Sequence, residues 1–319
     1  MDRREILLES GTNEIEFVEF MLGAQNFGVN VAKVREILSY DPNGVTAVPV
    51  AYHTVMGMFI LRDSTVPLID LKLHMGTTSE SENKDRKVIL VCEFNDMVNG
   101  FLVDGVNQIH RSSWKDILPI SQFISQYGPS ITSSITINGR NILMIDLEHV
   151  LSDIYPETRL VYQEEEEDTE HTNDTEKRHN ERENVYIVVA EDSPIVRSSI
   201  KKICDDVGYQ NIRMFDNGLD AYNHVLELAD RAKNENRNLT DLLAALVTDI
   251  EMPKMDGLTL CRNIKEDKSI SSLPVIVFSS LVNEQMIAKC KTVGADGWAN
   301  KLKIAELIYE LDKHCLDQK

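Results

Sequence analysis

Side chains that can bind a cation or carry phosphorus follow several short apolar segments in the second half of the chain. Glu191 and Asp192 follow one such segment, and Asp249 follows another. Three carboxylates within a few ångström of one another repel unless they share a cation, and Mg²⁺ is a hard ion that takes oxygen ligands. With part of the charge neutralised, one carboxylate could attack phosphorus and become an acyl phosphate. If folding brings these residues together, they predict a magnesium-dependent site for phosphoryl transfer.

The residue expected to carry phosphorus is Asp249. The loop 249–257 reads Asp-Ile-Glu-Met-Pro-Lys-Met-Asp-Gly and presents this aspartate directly after a buried strand. Lys301 would pair with phosphoryl oxygens, and the hydroxyl of Ser279 could donate a hydrogen bond to another. An acidic pair at the start of a loop is usually a solvated turn or helix cap, so the hypothesis depends on the whole set.

The elements that would position these residues alternate between strands and helices. Continuous apolar runs at 185–190, 243–248 and 275–278 are typical of strands covered on both faces, and a further strand is expected around 297–300. Helical patterns lie between and after them, at 194–207, 218–234, 257–265, 284–293 and 304–315. This rhythm predicts an open, doubly wound α/β domain. The carboxyl ends of its strands would gather the reactive groups at one edge.

The first half of the chain has the pattern of an all-β domain. Short segments rich in Val, Ile and Phe lie around 15–22, 27–31, 56–61, 66–71, 88–94, 101–106 and 131–145. The Asn138-Gly139 pair predicts a hairpin, because both central residues of a type I′ turn need positive φ. The pentapeptides 67–71 and 143–147 are similar and each ends a strand, and the pattern supports two related small barrels and chance recurrence equally.

A polar segment separates the two halves. Residues 163–184 contain no aliphatic or aromatic side chain, and like charges favour an extended linker there. A helical rod is the alternative, because the segment is rich in Glu. The predicted organisation is therefore residues 1–162, an acidic flexible linker at 163–184, and residues 185–319.

The composition excludes several classes of protein. The formal net charge is −19, and no basic cluster offers a surface for nucleic acid or anionic lipid. No apolar run reaches the roughly 20 residues that span a bilayer, and no signal-like segment follows the first methionine, so a cytoplasmic protein is expected. The five cysteines lack a CxxC pair and are expected to be reduced and mostly buried.

Residues 185–319 resemble the receiver domain of two-component response regulators. The matching elements are the acidic pair, the loop 249–257, the Leu-Pro-Val strand that ends in hydroxyls, and Gly-Ala-x-Gly-aromatic-x-x-Lys near Lys301. The resemblance implies that Asp249 is the phospho-acceptor. It also implies roles for six other groups: Mg²⁺ ligands at Glu191, Asp192 and the Glu251 backbone carbonyl, phosphoryl sensors at Ser279 and Lys301, and an aromatic switch at Trp298, for which simple packing is the alternative.

Three features depart from the receiver pattern. Leu302 follows Lys301 where proline is usual, and a cis bond without proline costs about 2.5–4 kcal/mol, so the loop is expected to be trans or strained. Ser280 replaces a small alanine and could crowd the phosphoryl group. The interval before Asp249 is long, and residues 229–241 are expected to lengthen the second helix and its loop.

Residues 13–153 resemble the CheW-like coupling domain of bacterial chemotaxis, a pair of five-stranded SH3-like barrels. The matching segments are 17–23, 27–29, 34–37, 48–49, 57–63 and 66–71. Arg62 stands where the family has arginine, but Asp63 replaces the following glycine and puts the turn geometry in doubt. His53, His74 and His110 show no metal-ligand spacing, so this half is predicted to be a binding module.

By resemblance, the partners of this module are methyl-accepting chemoreceptors and the CheA histidine kinase. Gly57 and Arg62 are candidate partner-binding residues, with turn geometry and solvated charge as the alternatives. Neither nucleic-acid binding nor membrane insertion is expected.

A coupling domain fused to a receiver is the arrangement of CheV-type chemotaxis proteins, which the chain resembles over nearly its whole length outside the linker. This implies an adaptor, not an enzyme, that couples chemoreceptors to CheA at cytoplasmic receptor arrays and is regulated by phosphorylation of Asp249. The alternative is a phosphate sink that drains phosphoryl groups from CheA. A transcription factor would need a basic output domain. A Mg²⁺-dependent phosphatase would use Glu251 as its second acid, but the Met252-Pro253 continuation argues against it.

Overall fold

A computed structural model describes residues 12–49, 52–78, 87–120, 128, 130–156 and 172–317. The chain forms two compact units: a β unit of residues 15–159, and an α/β unit of residues 1–14 with 160–319. Among the described residues, no helix is long and apolar enough to cross a membrane.

Where the structure describes it, the β unit consists of short strands, short 3-10 turns and two α-helices. Its strands are β1 Glu14–Leu22, β2 Gln25–Asn30, β3 Val34–Ser39, β4 Val45–Thr46, β5 Val55–Leu61, β6 Ser64–Asp70, β7 Val88–Phe94, β8 Met97–Val103, β9 Gly105–Ser113, β10 Leu118–Pro119, β11 Ile131–Ile137 and β12 Arg140–Ile145. Its helices are α1 Leu71–His74 and α2 Leu147–Ile154. The all-β class predicted for this half is confirmed.

These strands form two six-stranded sheets whose membership does not follow chain order. One sheet has the order β10-β11-β12-β2-β1-β9, and the other has the order β3-β7-β8-β6-β5-β4. Each contains six strands, against the five predicted per barrel, because a two-residue strand, β4 or β10, is added at one edge. The first two strands therefore pair with the last four, and β2 lies parallel to β12 with Phe27 opposite Leu143.

The predicted hairpin is confirmed, and each of the two pentapeptides ends a strand. Asn138 and Gly139 have φ of 51° and 75° and connect β11 to β12, with Ile137 opposite Arg140. Both repeated pentapeptides carry a strand into a helix capped by aspartate: Asp70 accepts a hydrogen bond from the Leu73 amide, and Asp146 caps α2 in the same way.

The α/β unit has the doubly wound architecture predicted from the apolar runs. Its strands are β13 Tyr186–Ala190, β14 Asn211–Phe215, β15 Ala245–Thr248, β16 Val275–Ser279 and β17 Gly297–Asn300. Its helices are α3 Thr172–Glu183, α4 Pro194–Asp206, α5 Gly218–Asn234, α6 Gly257–Glu266, α7 Glu284–Thr292 and α8 Ile304–Cys315. The strands are parallel in the order β14-β13-β15-β16-β17. Helix α5 has 17 residues and includes residues 229–234 of the segment that was expected to lengthen it.

The segment predicted to be an extended linker is helical where the structure describes it. Residues 163–171 lie outside the described residues, but Thr172–Glu183 form α3. Arg182 anchors this helix to the α/β unit: its Nε and Nη2 donate to the buried carboxylate of Asp312 at 2.9 and 2.6 Å. The prediction of an extended segment is therefore wrong for residues 172–183, where the helical alternative holds. Like-charge repulsion does not decide the conformation there, because basic side chains near the end of this helix have a buried acidic partner.

Candidate phospho-acceptor site

The parallel sheet brings the predicted residues to one edge. Strands β13, β15 and β16 are in register at Ala190, Thr248 and Val277, so the residues that follow them leave the sheet side by side. The amide of Asp249 donates to the carbonyl oxygen of Ala190 at 2.9 Å, which continues the pairing one residue further. In the neighbouring strand pair, Ser279 lies opposite Asn300, the residue before Lys301.

The three predicted carboxylates form one cluster. Glu191, Asp192 and Asp249 each place a carboxylate oxygen within 4.8 Å of the others, and no other such group of potential metal ligands occurs among the described residues. Glu191 is 1% exposed and Asp249 is 5% exposed, whereas Asp192 is half-buried. Oxygen donors of this charge and spacing fit the requirements of a hard divalent cation.

Lys301 reaches into this cluster. Its Nζ lies 3.0 Å from Asp249 Oδ2 and 3.0 Å from Glu191 Oε2, and the whole residue is 6% exposed. A buried ammonium paired with two carboxylates compensates for part of the charge that burial would otherwise make unfavourable. Lys301 is thus placed to contact any anion bound at Asp249.

The peptide bond between Lys301 and Leu302 is trans. Two hydrogen bonds hold the loop without proline: the Lys301 amide donates to the Ser279 carbonyl oxygen at 3.2 Å, and the Leu302 amide donates to the side-chain oxygen Oδ1 of Asn300 at 2.8 Å.

The loop that follows Asp249 is compact because several groups converge on it. Thr248 Oγ1 donates to the carbonyl oxygen of Asp249 at 2.8 Å, and the Gly257 amide donates to the Ile250 carbonyl oxygen at 2.9 Å. A Cβ atom at Gly257 would lie 1.8 Å from the Asp249 carbonyl oxygen, so no other residue fits there. Glu251 lies within this loop, and the use of its carbonyl as a metal ligand stays a prediction.

Asp256 ends the loop and begins α6. Its carboxylate accepts hydrogen bonds from the amide of Thr259 at 2.8 Å and from the hydroxyl of Thr259 at 2.6 Å. Burial raises the pKa of Asp256, and the hydrogen bonds from Thr259 oppose that effect.

The structure places the predicted switch residues without testing their roles. Ser279 is fully buried at the end of β16, and its Oγ accepts from the Leu281 amide at 3.4 Å. Trp298 lies in β17, partly buried, with Lys291 Nζ 5.2 Å from its ring centroid. Sensing by Ser279 and Lys301, and switching by Trp298, stay predictions.

Arg197 is a site residue that the sequence reasoning missed. Its Nη1 donates to the carbonyl oxygens of Glu191 and Asp192 at 2.6 and 3.1 Å and so holds the backbone of the acidic pair. It lies in α4, which Ser193 and Pro194 begin. A basic residue one turn into a helix that follows an acidic loop is the only sequence signal that could have found it.

Gly57 and Arg62 have structural roles in the β unit. Gly57 has a φ of 150°, and a Cβ atom there would lie 2.3 Å from the carbonyl oxygen of Thr46. Arg62 has a left-handed φ of 54° in the turn between β5 and β6, and its Nη2 lies 3.3 Å from Glu36 Oε1. Their participation in a partner interface stays a prediction.

Comparison with known proteins identifies both units by class. Residues 16–155 match the CheW-like domain family, and residues 187–311 match the response regulator receiver domain family. The chain is thus a coupling domain followed by a receiver, and the fold class predicted from sequence is confirmed.

Full-length relatives assign the chain to a family. It is similar to chemotaxis protein CheV3 of Helicobacter pylori, with 30% identity over 312 residues that cover 94% of each chain. It is also similar to chemotaxis protein CheV1 of the same organism, with 26% identity and coverage of 91% of this chain and 89% of the relative. The chain belongs to the CheV family of chemotaxis proteins.

Solved structures resemble the two parts separately. The scaffolding protein TtCheW from Thermoanaerobacter tengcongensis is 21% identical, with a TM-score of 0.38, and covers 42% of this chain and 84% of its own. The receiver domain of the Arabidopsis thaliana histidine kinase CKI1, complexed with Mg²⁺ and BeF₃⁻, is 21% identical, with a TM-score of 0.38. The match covers 44% of this chain and 97% of the receiver chain.

Proposed function

We propose that this chain is a chemotaxis coupling adaptor that links chemoreceptors to the CheA histidine kinase, and that phosphorylation of Asp249 regulates it. The observation that carries the proposal is the buried cluster of Glu191, Asp249 and Lys301, with Asp192 beside it, in a chain that also carries a CheW-like domain. The phosphate sink is not favoured, because the relatives that match over both domains are chemotaxis proteins of the CheV family.

The residues present fit a magnesium ion. Glu191, Asp192 and Asp249 offer oxygen donors within 4.8 Å of one another, and the Glu251 carbonyl would complete the set. When bound, Mg²⁺ would neutralise negative charge where a phosphoryl group meets the carboxylates.

The chemistry assigned to the chain's own residues is a single displacement. A carboxylate oxygen of Asp249 attacks the phosphorus of a phosphohistidine, the phosphorus–nitrogen bond breaks as the phosphorus–oxygen bond forms, and the leaving imidazole takes a proton from water. Lys301 turns from the carboxylates to pair with the new phosphoryl oxygens, and the Ser279 hydroxyl donates to one of them. The chain is a phosphoryl acceptor in this reaction, not an enzyme that turns over a substrate.

The proposed partners follow from the family. They are chemoreceptors and CheA, contacted through the β unit, with the chain located at cytoplasmic receptor arrays. Phosphorylation of Asp249 would change how the β unit couples receptors to CheA, through the residues that connect the two domains. Trp298 would report the phosphorylation state of Asp249.

Phosphotransfer from CheA tests the receiver half of the proposal. Full-length chain, Mg²⁺ and CheA carrying radiolabelled phosphohistidine are mixed, and label on the chain is followed with time. We expect label on the unaltered chain and on the control Asp267→Asn, whose side chain is a half-buried acid outside the cluster that accepts hydrogen bonds from Ser269. Asp249→Asn should accept none. Equal labelling of all three chains would overturn Asp249 as the acceptor.

Assembly with receptors tests the adaptor half. Full-length chain is sedimented with receptor-containing vesicles, with and without CheA, and kinase activity is measured in the pellet. We expect the chain to sediment in both cases and to change the response of the kinase to ligand. A chain that neither sediments with receptors nor binds CheA would rule out the adaptor even if phosphotransfer succeeds.

A further inference from the structure

A residue near the start of the chain is bonded to the loop that follows the phospho-acceptor. Asn13 Nδ2 donates to the carbonyl oxygen of Lys254 at 3.1 Å, and Asn13 Oδ1 accepts from the amide of Asp256 at 3.1 Å. The backbone amide of Asn13 donates to the hydroxyl oxygen of Thr259 at 3.0 Å. These three hydrogen bonds join residues about 240 positions apart within one compact unit.

The backbone conformation, the burial and the side-chain chemistry of Asn13 all suit this contact. Its backbone is left-handed, with a φ of 57°, and the residue is 9% exposed. Asparagine tolerates this conformation better than other residues with a side chain. Its amide supplies a donor and an acceptor together, which matches a loop that presents a carbonyl oxygen at Lys254 and an amide at Asp256.

The loop that Asn13 contacts is continuous with the site. It begins at Asp249, carries Glu251, and ends where Asp256 and Gly257 start α6. Gly257 touches the Asp249 carbonyl oxygen so closely that even a Cβ atom is excluded. A shift of Asp256 therefore moves the backbone of Asp249 or breaks this contact.

We propose that the segment 254–259, the end of the loop and the start of α6, is a docking site for Asn13 of the same chain, and that Asn13 positions Asp249 and Glu251 to bind the metal. Asn13 is a positioning residue, since it acts through Lys254 and Asp256. This inference rests on the proposed receiver function. By linkage, magnesium or a phosphoryl analogue at Asp249 strengthens the docking by the factor with which docking strengthens metal binding.

The docking residue also lies at the entry to the β unit along the chain. Glu14, the next residue, is the first residue of β1. Along the chain, the docking residue thus directly precedes the first strand of the β unit.

The test uses the full chain and three variants. Asn13→Gly removes both side-chain hydrogen bonds and keeps the left-handed backbone free of strain. Asn13→Asp keeps an acceptor for the Asp256 amide but has no donor for the Lys254 carbonyl oxygen. Asn236→Gly is the matched control, because Asn236 is also a left-handed asparagine, with a φ of 55°, and is exposed outside this loop.

Two readouts are compared. Hydrogen exchange in the peptide 254–259, measured without metal, reports docking directly. Loss of the Asn13 side chain should speed exchange there by roughly tenfold, the factor expected for a hydrogen bond or two. The magnesium dissociation constant, measured by calorimetry, should rise about threefold to tenfold in Asn13→Gly because the loop is no longer preorganised. For Asn13→Asp, the exchange rate and the dissociation constant should lie between those of the unaltered chain and Asn13→Gly. For Asn236→Gly, both quantities should match those of the unaltered chain.

The outcomes separate the inference from the function on which it rests. Equal exchange in the unaltered chain and in Asn13→Gly would overturn the docking. Faster exchange with an unchanged magnesium dissociation constant would overturn the positioning role. An unaltered chain that binds no magnesium would overturn the proposed receiver chemistry, and the positioning role with it, while its exchange data would still decide the docking.

Discussion

Removing Arg182 should destabilise the α/β unit strongly, because this side chain is the main partner of a buried carboxylate. Besides its two bonds to Asp312, its Nη1 donates to the carbonyl oxygen of Val207 at 2.8 Å, and its guanidinium lies 5.6 Å from the ring centroid of Tyr209. The side chain of Arg182 is 12% exposed and that of Asp312 is 5% exposed. In Arg182→Ala the carboxylate stays buried and loses both charge-assisted bonds.

The expected loss of unfolding free energy in Arg182→Ala can be estimated from the partners that Asp312 keeps. Breaking a buried ion pair by removing one partner costs about 3–5 kcal/mol. The remaining partners of Asp312 are Arg178 Nη1 at 3.1 Å and the Tyr209 hydroxyl at 2.9 Å, which places the loss near the lower end, about 3 kcal/mol. Burial, together with the charge of Asp312, raises the pKa of Tyr209, so this phenol stays a hydrogen-bond donor over the whole working pH range.

Arg178→Ala is the matched control. Arg178 contacts the same carboxylate, but its side chain is 52% exposed. A solvent-exposed partner contributes about 0–1 kcal/mol, so this variant should lose much less stability. The comparison holds the acidic partner constant and replaces a buried arginine that donates twice to it by an exposed arginine that donates once.

Urea unfolding followed by tryptophan fluorescence measures the effect in one unit at a time. The chain has two tryptophans, Trp114 in the β unit and Trp298 in the α/β unit. In a Trp114→Phe background only the α/β unit is reported. With an m-value of about 2 kcal/mol/M, Arg182→Ala should lower the midpoint by about 1.5 M. A midpoint shift equal to that of Arg178→Ala would refute the argument from burial.

Three further results are expected. Lys301→Met leaves Glu191 and Asp249 without their buried cation, so it should lower the melting temperature of the α/β unit without metal, and added Mg²⁺ should recover part of the loss; recovery no larger than in the unaltered chain would contradict this. Gly57→Ala should destabilise the β unit by about 2–4 kcal/mol in urea followed through Trp114, because its Cβ atom would collide with Thr46; an unchanged midpoint would show that the strand can yield. Burial raises the pKa of Cys92 and Cys204 to about 12, so a thiol reagent at pH 8 should label neither until urea unfolds the chain, and rapid labelling of the folded chain would contradict the burial.

The sequence predicts well which side chains cluster at the edge of the parallel sheet, because that geometry follows from local rules. Continuous apolar runs identify parallel strands, and every parallel strand delivers its last residue to the same edge. Glu191, Asp249 and Lys301 could therefore be expected together although more than a hundred residues separate the first from the last. The hairpin at Asn138 is equally local, because it follows from the Asn-Gly pair, whereas the long second helix was expected from the interval before Asp249 by resemblance to receivers.

Sheet membership in the β unit could not be predicted in this way. Alternating or apolar segments indicate strands but carry no label for the partner strand. That β2 pairs with β12 depends on how distant side chains fill the space between them, as at Gly28, where a Cβ atom would lie 2.7 Å from Met144 Sδ.

The sequence by itself thus determined the two domain classes and which acidic and basic residues meet at one edge of the parallel sheet. The tertiary structure decided which charged residues are paired. Read along the chain, 163–184 is a repulsive polar run, and Asn13 is an unremarkable loop residue. In the folded chain Arg182 binds a buried aspartate and Asn13 binds the acceptor loop, because the energy of a charge or an amide depends on its neighbours in space, and folding chooses those neighbours from distant parts of the chain.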